Sequence, residues 1–296
     1  MTRRRHPTCH QEVVLFICIA TLLGGCGKHG GVTDSPGTTS MKHATGQHSY
    51  NTAFPLTENP ISEGGNWVGG SGAGASISTG GSIWRGGRLW GDVQTTSGFA
   101  YGVDEPTEYG DPTAILTGIW EPAQTGTATV RIKKAPTGHC CHEVELRLRT
   151  TIALHTITGY EAYCSVMPDN QYCHIARWNG PNGSYWNFET GNSTTYLVDG
   201  DIIKATATGT NPTVITLYRN GIRILQATDT GAAGGGFGAF GPWISGNPGI
   251  GFYDNCDGHW KDFGFSSFSA TDGSQVSTPK ASSSLYRSSE WLARPG

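Results

Sequence analysis

Short segments that alternate apolar and polar residues constrain this chain more than any other feature. Seven of them recur through the middle of the sequence, at residues 127–133, 143–149, 159–167, 171–178, 201–208, 213–219 and 223–228. A period of two places successive side chains on opposite faces of a β-strand, and many such strands at this spacing are typical of a sandwich. The sequence therefore predicts an all-β fold, a jelly roll of two antiparallel sheets.

Turn-forming residues separate these segments. Asn220-Gly221 is the strongest two-residue hairpin signal in the chain, because both residue types tolerate positive φ angles. Pro-Asp-Asn at residues 168–170 predicts a second hairpin, and Asn179-Gly180 predicts the end of a strand.

Composition excludes several other classes of protein. The 44 glycines and the 15% of charged residues argue against long helices, because glycine costs about 1 kcal/mol at each helical position. The 36% of hydrophobic residues argues against a disordered chain. A net charge of −3 lacks the basic character that nucleic acid requires, so nucleic acid is not an expected partner.

The beginning of the chain is typical of a secretion signal. Three arginines at residues 3–5 precede an apolar segment at residues 13–23, which is shorter than the ~20 residues of a membrane-spanning helix. The next residues, Leu-Gly-Gly-Cys at 23–26, resemble a bacterial lipobox. That resemblance implies lipidation of Cys26 and a lipid anchor in the bacterial cell envelope, outside the cytoplasm and in the outer membrane if the cell is Gram-negative. Ordinary secretion is the alternative.

Four regions follow from these patterns. Residues 1–25 are predicted to be a lipoprotein signal peptide, and the Gly-, Ser-, Thr- and His-rich residues 26–50 a flexible tether. Residues 51–274 are the predicted jelly-roll domain, and residues 275–296 a disordered tail. We expect the protein to be a monomer.

A series of strand motifs resembles a known superfamily. The motifs are Gly-Tyr-Glu at residues 159–161 and the segments 172–180, 197–204, 218–222, 228–229, 246–252 and 262–268. In this order they resemble the concanavalin A-like lectin/glucanase superfamily, and in particular its laminin-G-like jelly rolls in secreted bacterial proteins. The resemblance implies a polysaccharide partner held on the concave sheet. It does not choose an activity, because the superfamily includes lectins, binding modules, glycosidases, lyases and peptidases.

One predicted strand carries an unusual concentration of charge for this chain. Alternation places three apolar residues on one face of it and four charged residues on the other: Glu143, Glu145, Arg147 and Arg149. One interpretation is a solvated outer face with weak cross-strand ion pairs. The other is the polar floor of a glycan-binding sheet, and both interpretations stay open.

A second predicted strand combines aromatic and basic residues. Tyr172 and Trp178 could stack on sugar rings, and Arg177 could bind hydroxyls or a uronate carboxylate. Together with Arg149, these are the predicted glycan-binding residues. The alternative for Trp178 is a core position, where most large aromatic residues lie.

Two enzyme classes are alternatives to binding without turnover. Glycosidases of the laminarinase type carry Glu-x-Asp-x-x-Glu, which is absent here, although Glu143 and Glu145 would share one strand face. Lyases of the alginate-lyase type use an arginine, a histidine and a tyrosine; residues 145–147 resemble one of their motifs, but the companion motifs are absent. The candidate catalytic residues are Glu143, Glu145, Arg147, Tyr160 and His174. A structural or protein-binding envelope module is the remaining class.

Cysteines and acidic residues suggest two further features. Cys164 and Cys173 flank the turn at residues 168–170, and an oxidising compartment favours a disulfide between them. Cys256 would then pair with Cys140 or Cys141, and the alternative is that all five are buried thiols. The resemblance also implies structural calcium as an optional ligand, with Asp254, Asp257 and Asp262 as oxygen donors; a simple turn is the alternative. No cofactor is otherwise expected.

Overall fold

The computed structural model describes residues 48–73, 90–103, 111–134, 141–180, 182–183, 185–188, 194–231, 241–254 and 259–273. The predictions for the signal peptide, Cys26, the tether up to residue 47 and the tail lie outside the described residues. Strand β1 (Ser49–Thr52) includes the last two residues of the predicted tether. It is preceded by His48, whose Nδ1 lies 2.7 Å from Oδ2 of Asp272. No helix in the described part of the chain is long and apolar enough to cross a bilayer.

The described strands form two antiparallel sheets. The eight-stranded sheet has the spatial order β13 (Ile222–Asp229), β12 (Thr213–Arg219), β11 (Ile202–Thr208), β6 (Gln124–Ile132), β15 (Phe263–Asp272), β4 (Phe99–Gly102) and β3 (Val93–Thr96), with β1 also paired to β15. The seven-stranded sheet has the order β10 (Tyr185–Asn187), β9 (Cys173–Gly180), β8 (Thr156–Ser165), β7 (His142–Ala153), β14 (Asn247–Asp254), β5 (Thr113–Leu116) and β2 (Trp67–Gly69). A 3-10 turn covers Gly70–Ala73. The predicted two-sheet, all-β architecture is confirmed.

Each of the seven alternating segments corresponds to a strand, namely β6, β7, β8, β9, β11, β12 and β13. The hairpin between β12 and β13 turns at Asn220 and Gly221, whose φ angles of 50° and 82° are those of a type I′ turn. The turn at residues 168–170 joins the paired strands β8 and β9, and β9 ends at Gly180 as predicted.

The apolar core lies between the two sheets. From β7, the side chains of Val144, Leu146 and Leu148 point into it and are fully buried. Phe252 on β14 meets Phe265 on β15 across the core, with ring centroids 5.2 Å apart. Burial of each such side chain stabilises the fold by roughly 1.5–3 kcal/mol, so the alternation fixes which face of each sheet turns inward.

A disulfide joins two neighbouring strands of the seven-stranded sheet. Cys164 on β8 and Cys173 on β9 are directly opposite in register and are bonded, which confirms the prediction. Cys141 is also disulfide-bonded. Cys140 and Cys256 lie outside the described residues, so the predicted second pairing stays a prediction.

Candidate functional site

The outer face of the seven-stranded sheet, which points away from the core, brings most of the predicted site residues together. Strand registers define its rows. Glu145 on β7 lies opposite Tyr163 on β8, which lies opposite His174 on β9. In the next row, Arg147 lies opposite Glu161.

Four carboxyl groups surround one guanidinium on this face. We call Asp111, Glu143, Glu145, Glu161 and Arg147 the carboxylate cluster. Nη2 of Arg147 donates to Oε2 of Glu145 at 2.6 Å and also to Asp111, and Nη1 lies 2.8 Å from Oε2 of Glu161. One carboxyl oxygen from each of the three glutamates lies within 4.8 Å of the other two. Arg147 therefore neutralises part of a charge that would otherwise be strongly repulsive.

The carboxylate cluster is buried, so the interpretation of a solvated outer face is wrong. Glu145 is 1% exposed, Arg147 0% and Glu143 9%. Aromatic side chains cover these groups: the indole Nε1 of Trp178 donates to Glu161, and the hydroxyl of Tyr172 donates to Glu143. Burying a charge without partners is costly, which explains why the described members hydrogen-bond or pair with one another.

Burial dominates the electrostatics of the carboxylate cluster. It raises the pKa of Glu143 to about 8, helped by the charges of Glu161 and Asp111 and opposed by the hydrogen bond from Tyr172. Burial also raises the pKa of Glu145 well above its ordinary range, against the attraction of Arg147. Burial alone would lower the pKa of Arg147, but the surrounding carboxylates raise it. At neutral pH, Glu143 therefore retains its proton, because its pKa of about 8 lies above 7.

A set of rings borders the carboxylate cluster on the side of β9 and β10. We call Tyr163, Tyr172, His174 and Tyr185 the aromatic rim. The His174 ring lies 5.6 Å from that of Tyr163 and 5.7 Å from that of Tyr172. Tyr163 donates to Oδ1 of Asn187 at 3.1 Å. His174, Tyr185 and Asn187 are half-buried, so part of this face is accessible at the aromatic rim.

A glycine on the adjacent strand makes room for the carboxylate cluster. Gly251 on β14 lies opposite Glu145, and an ideal Cβ at this position would be 2.2 Å from Oε2 of Glu145 and 2.9 Å from Nε of Arg147. A larger residue would displace both side chains. Two of the long charged side chains can therefore lie flat over β14.

Arg177 and Tyr160, predicted to act in glycan binding and catalysis, do not lie on this face. They are directly opposite each other in β8 and β9 and point into the sandwich, because each is one residue from an outward-facing neighbour. Nη1 of Arg177 lies 2.7 Å from Oδ1 of Asp229 on the other sheet, and the Tyr160 hydroxyl donates to Oδ2 at 2.8 Å. This buried network joins the two sheets.

Arg149 also points away from the predicted surface. The register of β7 against β8 shifts between Leu148 and Thr151, and Arg149 has a φ of 49° there. This irregularity reverses the direction that simple alternation predicts. Arg149 is fully buried, and its guanidinium donates to three backbone carbonyls and one hydroxyl: Pro122, Gly209, Trp243 and Thr213 Oγ1, at 2.6, 2.7, 3.0 and 2.8 Å. Its guanidinium therefore links three loops and β12.

Two of the predicted calcium ligands are engaged with protein groups. Asp254 lies 3.4 Å from Nε2 of His142 and accepts the backbone N–H of His259 at 2.7 Å. Asp262 lies 3.2 Å from Nδ1 of His259 and 3.7 Å from Nζ of Lys134. Asp257 lies outside the described residues, so the complete set is not tested.

Asp111, Glu161 and Tyr163 are among the members of the site that the sequence analysis did not indicate. Glu161 and Tyr163 could have been found by aligning β7 and β8 as a hairpin, since they lie opposite Arg147 and Glu145. Asp111 lies 36 residues before Arg147 and precedes a different strand, so no local pattern indicates it.

No family model and no curated protein matches the sequence. One similar solved structure is the carbohydrate recognition domain of Emp46p, which is 12% identical in sequence. The match covers 75% of this chain and 95% of that chain, and its TM-score is 0.45. The legume lectin-like domain from Entamoeba histolytica has 11% identity, coverages of 74% and 97% and a TM-score of 0.42. β-Agarase A in complex with oligoagarose has 9% identity, coverages of 77% and 94% and a TM-score of 0.43.

Proposed function

We propose that this chain binds a polysaccharide on the outer face of the seven-stranded sheet, at the aromatic rim. The observation that carries the proposal is that half-buried rings at His174 and Tyr185 lie beside a buried group of carboxyls. Aromatic rings stack on the apolar faces of sugars, while carboxylates and amides such as Asn187 hydrogen-bond to hydroxyls. Ligand sites commonly combine apolar walls with a few placed polar groups in this way.

Affinity electrophoresis of the purified protein through gels that contain single polysaccharides tests this proposal. Tyr185→Ala and His174→Ala should weaken retardation by the polysaccharide that binds. Tyr218→Ala is a matched control, because Tyr218 is a half-buried tyrosine on the other sheet, where its ring lies 4.3 Å from Nζ of Lys204. If no polysaccharide retards the protein, a structural or protein-binding module becomes the better hypothesis.

Glycoside hydrolysis is the second candidate function. Retaining glycosidases use two carboxyl groups about 5–5.5 Å apart, and the glutamate oxygens of the carboxylate cluster lie within 4.8 Å of one another. Because burial raises the pKa of Glu143 to about 8, this residue would hold the proton that a general acid needs. Glu145 and Glu161 are paired with Arg147, however, and this favours binding over turnover. If the wild-type protein released reducing ends from a polysaccharide and the Glu145→Gln variant did not, hydrolysis would become the better-supported function.

Attachment of the chain to a membrane is part of the same proposal. The lipobox-like residues 23–26 follow an apolar segment, and they support lipidation of Cys26 and a place outside the cytoplasm in a bacterial envelope. Metabolic labelling with palmitate should mark the wild-type protein and the Cys18→Ser control but not Cys26→Ser. Label that persists in Cys26→Ser would remove the anchor from the proposal. Structural calcium stays a prediction, since Asp254 and Asp262 have protein partners and Asp257 lies outside the described residues.

A further inference from the structure

We infer that the polysaccharide is neutral and that this face excludes chains of uronic acids, an inference that rests on the proposed function. It depends on the charge and hydrogen-bonding capacity of the residues next to the aromatic rim. Both properties can be read from the described side chains.

The first step concerns cations. The described strands of the seven-stranded sheet contain no lysine and three arginines, namely Arg147, Arg149 and Arg177. Arg149 and Arg177 point away from the outer face and bind protein groups. Arg147 is the remaining one, and three carboxylates already contact it. No outward-facing guanidinium on these strands is therefore available to neutralise a uronate.

The second step concerns anions. Three carboxyl groups contact the single guanidinium of Arg147, and a fourth and less buried one, that of Glu143, lies next to Tyr172 of the aromatic rim. In an environment of low dielectric constant, a further carboxylate on the ligand would be repelled by this excess. A sugar hydroxyl has no such penalty, because it can donate a hydrogen bond to a carboxylate oxygen.

The third step concerns a donor that lacks an acceptor. Arg147 is 0% exposed, and its Nε has no hydrogen-bond partner among the residues that the structure describes. A buried donor without an acceptor is unfavourable, so Nε adds to the cost of burying this guanidinium. Because Arg147 has no exposed surface, a ligand can meet only the outer edge of the carboxylate cluster, where Glu143 is the least buried member. The groups offered to a ligand there are hydrogen-bond acceptors, which match the hydroxyls of a polyol better than an anion.

The test compares laminarin and agarose, as neutral probes, with polygalacturonate and alginate, as uronate probes, by affinity electrophoresis at pH 9. Glu143 is ionised at this pH, which lies above its pKa of about 8. Titratable groups near Glu143 on other elements are Asp111, Glu161, Tyr163, Tyr172 and Tyr253, and those on its own strand are Glu145 and Arg147. We expect a neutral probe to be retained at least tenfold more tightly than either uronate.

Glu143→Gln sharpens this comparison. Glu143 is not an ion-pair partner of Arg147, so the substitution removes a charge without leaving a cation unpaired. It should raise the ratio of uronate retention to neutral retention severalfold, whereas Glu143→Asp should keep the wild-type ratio. Added salt should also raise uronate retention, because it screens repulsion. Circular dichroism checks that each variant is folded.

The outcomes separate the inference from the proposed function. Equal or tighter retention of a uronate, or uronate retention that decreases with salt, overturns the inference and leaves polysaccharide binding intact. Retention of neither kind of probe refutes the proposed function and the inference together.

Discussion

The stability of this protein should decrease as the pH rises from about 5 to about 8, and Glu143 should account for part of the decrease. Burial raises the pKa of Glu143 from 4.5 to about 8, so the folded state holds a proton between these values that the unfolded state has released. Stability then falls with pH, because the unfolded state binds fewer protons. The contribution is complete below pH 4.5 and lost above about pH 8. Glu145 acts in the same direction.

The size of this effect follows from the shift. One pKa unit corresponds to about 1.4 kcal/mol, so Glu143 alone can change the free energy of unfolding by up to ~1.4 kcal/mol for each pH unit in this window. For a domain of this size, 1 kcal/mol corresponds to roughly 2–4 °C in Tm. We therefore expect the wild-type Tm to fall by several degrees for each pH unit.

Thermal unfolding at pH 5, 6, 7 and 8 measures this slope. Glu143→Gln should reduce the fall of Tm with pH, because glutamine does not titrate. Its side-chain oxygen can still accept the hydrogen bond of the Tyr172 hydroxyl. Glu121→Gln is the matched control, since Glu121 is an exposed glutamate, and it should keep the wild-type slope. A wild-type Tm that rises over this range, or a Glu143→Gln variant with an unchanged slope, would refute the reasoning.

Three further predictions concern stability. Arg177→Met should reduce the free energy of unfolding by about 3–5 kcal/mol in a urea titration, because it leaves the Asp229 carboxylate buried without its cation; adding Asp229→Asn should restore part of the loss. Joint replacement of Cys164 and Cys173 by alanine should cost about 2.5 kcal/mol in the same assay, as expected for a sequence separation of 9, whereas an unchanged midpoint would contradict this. Gly251→Ala should cost about 1–3 kcal/mol by displacing a glutamate and an arginine, and unchanged thermal unfolding would contradict the described packing.

The strands could be predicted because alternation is a local property. The segments that became β7, β8 and β9 alternate in sequence, and burial of Leu146 and its equivalents follows directly. The short strands β2, β3, β4 and β5 have only three or four residues each, which is too few for a period of two to be recognised. They acquire their structure from pairing with distant segments.

The candidate site could be predicted only in part. Alternation correctly placed Glu143, Glu145 and Arg147 on one face, because they lie on a regular part of β7. It failed at Arg149, because a register shift is a property of two strands and cannot be read from one. Alternation within β7 could not indicate that the charged face would be buried. The groups that cover it, Trp178 on β9 and Tyr172 just before β9, come from another part of the chain.

Two buried arginine networks lie on opposite faces of the same sheet, and their charge balance distinguishes their roles. Among the described residues, Arg177 pairs with the carboxylate of Asp229, which also accepts the backbone N–H of Gly231, so the charges in this part of the network balance, as in a structural contact. Arg147 shares its charge with three contacting carboxylates and lies near Glu143 as well. Such an excess destabilises the fold increasingly as pH rises, and residues that oppose stability are typical of functional sites. Glu143→Gln should therefore raise the Tm at pH 8 while it weakens discrimination against uronates; a variant that changed stability alone would assign this network to the fold and not to the ligand.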